Sequence, residues 1–202
     1  MAFAVDLVSD RVDREFAEEW AHLLQAAAHR QGEFSTGRAC ARQALATAGA
    51  AACAIPPDAA GVPIWPESYL ASISHSRGLA AAVAGEAAQF EYLGLDLEKT
   101  NRLSPVAIRH VLHPDESEWV GGDQFRATVL FSVKEAFYKA QYPRWRCQAN
   151  FNDLCFAVDD GARSLRVTWI AERFPAGLRE QVQSMQFRYS IFGDYIVSLC
   201  WL

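Results

Sequence analysis

The sequence lacks the features that mark several common protein classes. Its five cysteines (Cys40, Cys53, Cys147, Cys155 and Cys200) are odd in number and no two form a C-x-x-C pair. That argues against a disulfide framework and against a structural zinc site. The longest fully apolar stretches, such as Leu79–Ala84, have only the length of a strand, so nothing is expected to span a bilayer. The first residues, Met1–Asp6, lack the basic start and apolar block of a signal peptide, and a soluble cytoplasmic protein is expected. Basic residues are outnumbered, 19 Lys+Arg against 24 Asp+Glu for a net charge of -5. A general nucleic-acid binder needs the opposite balance, although a local basic pocket for one small phosphorylated ligand stays possible. P-loop, G-x-G-x-x-G, G-x-S-x-G and H-E-x-x-H signatures are all missing, and no covalent nucleophile stands out.

What is present is ordinary globular material. Of 202 residues, 51% are hydrophobic and 21% charged, enough for a proper core in one domain or two small lobes. Val12, Phe16, Trp20, Leu23 and Leu24 fall at helical spacing and predict an amphipathic helix over 11–30. A second, alanine-rich helix is predicted from about Ser35 to Ala48, with Gly49 as its cap. Four prolines between 56 and 66 predict a surface loop. Strands are predicted at Ala71–Ser74, Leu79–Ala84 and Leu93–Glu98. Ser104-Pro105 opens a helix, and a further helix should cover Arg126 to Gln141 and stop before Pro143. The last fifty residues read as four strands, with turns at Asp159-Asp160-Gly161 and Gly193-Asp194. The class is α+β, with a seam near residue 90.

Four segments could carry chemistry. In Gly94-Leu95-Asp96-Leu97-Glu98, strand alternation turns Leu95 and Leu97 to the core and puts Asp96 and Glu98 together on the other face. Two neighbouring carboxylates repel, and a hard divalent cation such as Mg²⁺ resolves the conflict; an exposed edge with two solvated acids is the duller alternative. On the helix through Phe131-Ser132-Val133-Lys134-Glu135-Ala136-Phe137-Tyr138-Lys139, Glu135 and Lys139 share one face. They are either a surface ion pair or a third metal carboxylate with an ammonium aimed at phosphate. Arg38 and Arg42, also four apart, suit an anion held between them or two solvated side chains. Ser72-Ile73-Ser74-His75-Ser76 ends a strand, where His75 is either structural or a phosphate donor. Acids and cations without a nucleophile suggest phosphoryl-type transfer to an acceptor supplied by a second substrate.

Taken in order, G-R-x-C-A-R, P-x-W-P, S-I-S-H-S, G-L-D-L-E and F-S-V-K-E-x-x-Y-K-A resemble the 4′-phosphopantetheinyl transferases. The likeness is greatest to the enterobactin-synthetase component D type of the surfactin-type group, and it covers about Arg30 to Pro143. The resemblance implies transfer of the phosphopantetheine arm of coenzyme A to a serine of an apo acyl or peptidyl carrier protein, releasing adenosine 3′,5′-bisphosphate. It implies secondary-metabolite or siderophore biosynthesis, and a monomer that binds neither nucleic acid nor membrane. By the same analogy Asp96, Glu98 and Glu135 bind Mg²⁺, with Glu135 the base that takes the serine proton. Lys139 contacts the diphosphate, Ser74 and His75 hold coenzyme A phosphates, Arg42 meets the 3′-phosphate, and Arg38 belongs to the same element. The family fold implies two similar α/β lobes about a pseudo-twofold with the active site in the seam, hence lobes 1–92 and 93–202. Two residues depart from the pattern. Ala71 stands where related sequences have Gly, and Val62 stands where many have Lys or Arg, which weakens the expected 3′-phosphate clamp. Competing readings are another Mg-dependent phosphotransferase or nucleotide hydrolase, and a non-catalytic scaffold that binds carrier proteins.

Overall fold

The computed structural model describes residues 1–9, 12–20 and 23–202. The chain is of the expected α+β class and forms two compact units, Met1–Leu93 and Gly94–Leu202. No helix among the described residues is long and apolar enough to cross a membrane.

In the first unit, one long helix, α1 (Ala28–Thr47), lies against a three-stranded sheet of β1 (Ala2–Leu7), β2 (Tyr69–Ser76) and β3 (Leu79–Glu86). The strand order is β1-β3-β2 and both pairings are antiparallel. β3 is buried along nearly its whole length, as expected for a central strand without polar alternation. Its Ala80, Ala82 and Ala84 face Ala41 and Ala44 of α1, and all five have no exposed surface. Methyl against methyl lets helix and sheet approach closely, so the alanine content of this half is a packing device. After Ala48 the backbone turns at Gly49, whose φ of 100° is a left-handed value that glycine adopts without strain.

Three expectations fail here. β1 was not foreseen. The helix over 11–30 is not formed by 12–20 and 23–27; Arg11, Ala21 and His22 lie outside the described residues. Trp20 and Leu23 are buried as their spacing suggested, but through irregular turns around a 3-10 turn at Ala17–Glu19. Helical periodicity reported burial there without reporting backbone. Conversely, α1 begins at Ala28 and runs through Gly32, so Arg30 to Phe34 belong to it.

The second unit is a five-stranded sheet of order β4-β8-β7-β6-β5, made of β4 (Leu93–Lys99), β5 (Leu154–Asp159), β6 (Ser164–Ile170), β7 (Gln186–Phe192) and β8 (Tyr195–Trp201). Helix α2 (Pro105–Val111) starts at Ser104, whose hydroxyl accepts the Ala107 N–H at 3.2 Å, with Pro105 in the first turn. The short α3 (Ser117–Val120) follows, then the long α4 (Gln124–Trp145), capped by Asp123. α4 contains Pro143 instead of ending before it. The proline falls in the last turn, where its missing N–H disturbs few helical bonds. The helix ends at Arg146 in the left-handed conformation, φ 52°. α5 (Ala176–Val182), also not foreseen, buries Leu178 and Val182. α4 packs on β7 and β8, with Phe137 fully buried and its ring 6.4 Å from that of Phe187.

Candidate active site

The acidic cluster lies wholly within the second unit, and a glycine makes it possible. A Cβ placed on Gly94 would lie 2.0 Å from the Ala136 carbonyl oxygen and 2.9 Å from the Ala140 Cβ. Only glycine lets β4 run this close to α4, and two residues later the strand presents Asp96 to the helix face that carries Glu135 and Lys139. Leu95 and Leu97 are buried in the core as expected. Asp96, however, is 3% exposed, so it is a buried acid and not a solvated strand edge.

Lys139 Nζ donates to Asp96 Oδ1 at 2.7 Å. The two elements are thus joined by charge, strand acid to helix ammonium. Glu98 is met by the Arg102 guanidinium at 3.5 Å. Glu135 feels the whole group. Burial, then the Asp96 charge, push its carboxyl above the ordinary range, Glu98 adds to the rise, and Lys139 and Arg102 partly oppose it. Three carboxylates acting on one another in a half-buried place are a donor set for a hard divalent cation, which prefers oxygen ligands. Asp96, Glu98 and Glu135 fit such an ion by their chemistry. A tighter group of mixed donors, His113, Asp115 and Cys155, lies elsewhere in this unit with its ligand atoms within 4.8 Å of one another. Its nitrogen and sulfur suit a softer ion and it shares no residue with the acids.

The cationic group lies in the first unit. A cavity of about 180 Å³ is lined by Arg30, Glu33, Phe34, Arg38, Ile73 and His75. Arg30, Glu33, Phe34 and Arg38 are three, four and eight residues apart on α1, one face of a continuous helix. Arg30 Nη1 stands 2.6 Å from His75 Nε2. A guanidinium can only donate, so this hydrogen-bond network assigns the ring proton to Nδ1, which faces Glu33 Oε1 at 3.5 Å. Arg38 is 5% exposed, its guanidinium carbon 4.4 Å from the Phe34 ring centroid, and its Nε has no hydrogen-bond partner. Burial draws its pKa down to about 10; Glu19 opposes the fall, and Arg42 and Arg30 add to it. It remains a cation at neutral pH, held where water cannot fully solvate it, in the wall of a cavity.

Arg42 is placed differently. Its Nη1 donates to both carboxylate oxygens of Glu19, at 2.9 and 3.1 Å, and Glu19 is 1% exposed. Glu19 also accepts the Ile55 N–H at 2.7 Å. The fold itself neutralises Arg42, and Arg42 does not line the cavity with Arg38 and His75. Ser74 is buried in β2 beside His75. Ala71 is buried, and Val62 closes the 57–63 turn through its N–H to Asp58 at 2.9 Å, leaving Arg30 as a lining cation the motifs did not single out.

With this geometry in place, comparison with known proteins decides the class. Residues 18–85 match the model of the 4′-phosphopantetheinyl transferase N-terminal domain, and 92–200 that of the 4′-phosphopantetheinyl transferase superfamily. Among curated proteins, the 4′-phosphopantetheinyl transferase Svp of Streptomyces mobaraensis is 35% identical over 163 residues, covering 78% of this chain and 66% of Svp. The 4′-phosphopantetheinyl transferase Npt of Nocardia iowensis is 33% identical over 152 residues, covering 72% of this chain and 68% of its own. The aligned part of the chain thus spans about two thirds of the length of these relatives. Among solved structures, a holo-ACP-synthase from Plasmodium yoelii matches at 16% identity with a TM-score of 0.42, covering 55% of this chain and 93% of the other. The chain belongs to the 4′-phosphopantetheinyl transferase superfamily.

Proposed function

We propose that the protein transfers the 4′-phosphopantetheine arm of coenzyme A to a serine of an apo acyl or peptidyl carrier protein, leaving adenosine 3′,5′-bisphosphate. The observation that carries this reading is Glu135, a half-buried carboxylate made more basic by burial and by two neighbouring acids, with Lys139 in the same cluster. Glu135 takes the proton of the serine hydroxyl, directly or through water. The serine oxygen bonds to the β-phosphorus of coenzyme A as the diphosphate P–O bond breaks, and the electron pair leaves on the bisphosphate. Lys139 shifts from Asp96 toward that leaving oxygen and offsets its growing charge. Asp96, Glu98 and Glu135 would hold the divalent cation, Mg²⁺, which would supply positive charge for the diphosphate.

In the first unit, Arg38 is the phosphate cation, with His75, Ser74 and Arg30 beside it. This revises the motif-based assignment, in which Arg42 met the 3′-phosphate, because Glu19 already satisfies Arg42. Component D-like subgroup, siderophore or other secondary-metabolite pathway, and a soluble monomeric state in the cytoplasm belong to the same reading. The test is incubation with coenzyme A, Mg²⁺ and a panel of apo-carriers, followed by intact-mass measurement. One carrier gaining the phosphopantetheine mass, with stoichiometric bisphosphate and dependence on Mg²⁺, is the expected result. Coenzyme A consumed with no carrier present supports a nucleotide hydrolase instead, and carrier binding without a mass change supports a scaffold.

A further inference from the structure

α4 carries a second charged residue beside Glu135, and the motif reading gave it no role. Lys134 and Glu116 have side chains only 2% and 0% exposed and meet at 2.6 Å. Lys134 Nζ also donates to the Val111 carbonyl at 3.0 Å, at the end of α2. Glu116 Oε2 accepts the His113 N–H at 2.8 Å, and its Oε1 accepts the Phe156 N–H at 2.9 Å. One ion pair therefore ties four segments together: the end of α2, the 3-10 turn at Pro114–Glu116, α4 and β5.

Its presence calls for an explanation. Both charges have lost their water, and burial pulls the Lys134 pKa below its ordinary value although Glu116 opposes the fall. Replacing such a pair by apolar residues of similar size commonly leaves a protein as stable or makes it more so. What apolar side chains lack is direction. A hydrogen-bonded ammonium can be satisfied in one place only, whereas a methionine accepts several. Successive residues on a helix point about 100° apart, so fixing the direction of Lys134 fixes that of Glu135. The charges that act on Glu135 most are Asp96, Lys139, Glu98 and Arg102. Lys134 reaches Glu135 through orientation.

We propose that the buried Lys134–Glu116 pair is a positioning device that sets the rotation and depth of α4, so that Glu135 meets the carboxylates of β4 in a metal-binding arrangement. The inference rests on the reading of Asp96, Glu98 and Glu135 as metal ligands. It makes Lys134 and Glu116 positioning residues, since neither belongs to the acid cluster.

The experiment uses the whole chain, with Mn²⁺ as the probe ion, followed by electron paramagnetic resonance of the free ion. Wild type is compared with Lys134→Met/Glu116→Leu and with Glu135→Gln, each also melted without metal. The expected result is a double variant that melts cooperatively at or above the wild-type temperature yet binds Mn²⁺ at least tenfold more weakly. Lys134→Arg, which keeps a cation for Glu116, should stay within threefold of wild type. Unchanged Mn²⁺ affinity in the double variant overturns the proposal. So does loss of its cooperative melting, because the pair would then serve the fold and not the site. Wild-type Mn²⁺ affinity in Glu135→Gln overturns the metal reading itself, whatever the double variant does.

Discussion

Replacing Arg38 by methionine should strengthen the free protein and weaken its ligand complex. The arginine is 5% exposed and its Nε has no hydrogen-bond partner. A pKa drawn from 12.5 down to about 10 corresponds to about 3 kcal/mol of penalty on the charged form. Methionine keeps an unbranched stem against the Phe34 ring while discarding the charge and its cation–π contact. Net of that lost contact, the unfolding free energy should rise by about 1–3 kcal/mol. The sign has a pH signature. Below about pH 10 the guanidinium is charged in both folded and unfolded chains, so the gain is flat between about pH 5 and 9. Above about pH 10 the native wild type sheds its proton before the unfolded chain does, and the difference shrinks. Coenzyme A binding should fall at least tenfold, since a charge-assisted hydrogen bond contributes about 1.5–3 kcal/mol. Dephospho-coenzyme A, which lacks the 3′-phosphate, should lose much less. Urea unfolding across that pH range and titration calorimetry with both ligands make the measurement. A variant less stable than wild type, or one that binds coenzyme A normally, would refute the view of Arg38 as a buried cation waiting for phosphate.

Arg42→Ala should act in the opposite way, destabilising by about 3–5 kcal/mol because buried Glu19 loses its partner, and lowering the melting temperature by roughly 10 °C. A melting temperature within a degree or two of wild type, with a selective loss of coenzyme A affinity, would return Arg42 to the phosphate site. Glu135→Gln should be more stable than wild type at neutral pH without metal. A carboxyl whose folded pKa is raised stabilises fully below its unfolded value and loses that contribution as pH rises through the folded one. The advantage of the glutamine should therefore vanish below about pH 4.5, and added Mg²⁺ should narrow it at neutral pH, both readable from thermal melts. An advantage that persists into acid would mean that the Glu135 charge is not the source.

The site was most legible where chemistry depends on residue type and short spacing. Gly94, Asp96 and Glu98 are consecutive enough on one strand for alternation to place the acids, and Glu135 and Lys139 are one helical turn apart. Partner choice was not legible, because it depends on distant chain segments. Lys139 bonds Asp96, forty-three residues away. Arg38 and Arg42 looked equivalent on one helix face; Glu19 separated them, and it lies on a segment whose apolar spacing suggested a regular helix. Dividing that region into helices at 11–30 and 35–48 hid Arg30 and Glu33, which continue the α1 face of Arg38. β1 and α5 carried too weak a pattern to notice, because exposed Phe3, Val5 and Leu7 invert the alternation expected of a half-buried strand.

The cations of this chain divide by whether the fold has already neutralised them. Arg42 is committed to buried Glu19, which also accepts the Ile55 N–H, and Lys134 to buried Glu116, which also accepts the Phe156 N–H. Arg38 is as buried as Lys134 but has an unsatisfied Nε and a cavity in front of it. Lys139 stands between these cases, bonded to Asp96 yet 27% exposed, so its partner can be exchanged. In the second unit the excess is of the other sign, with burial first, then Asp96 and Glu98, holding Glu135 above its ordinary range. A buried charge without a full set of partners carries a desolvation cost that an incoming counter-charge can offset. In the proposed reading a phosphate at Arg38 relieves the penalty in the first unit, and a divalent cation at Asp96, Glu98 and Glu135 relieves the one in the second. Formal charge alone would have ranked Arg38, Arg42, Lys134 and Lys139 as equals. Their unmet electrostatic demand separates those that can bind a substrate from those that hold the protein together.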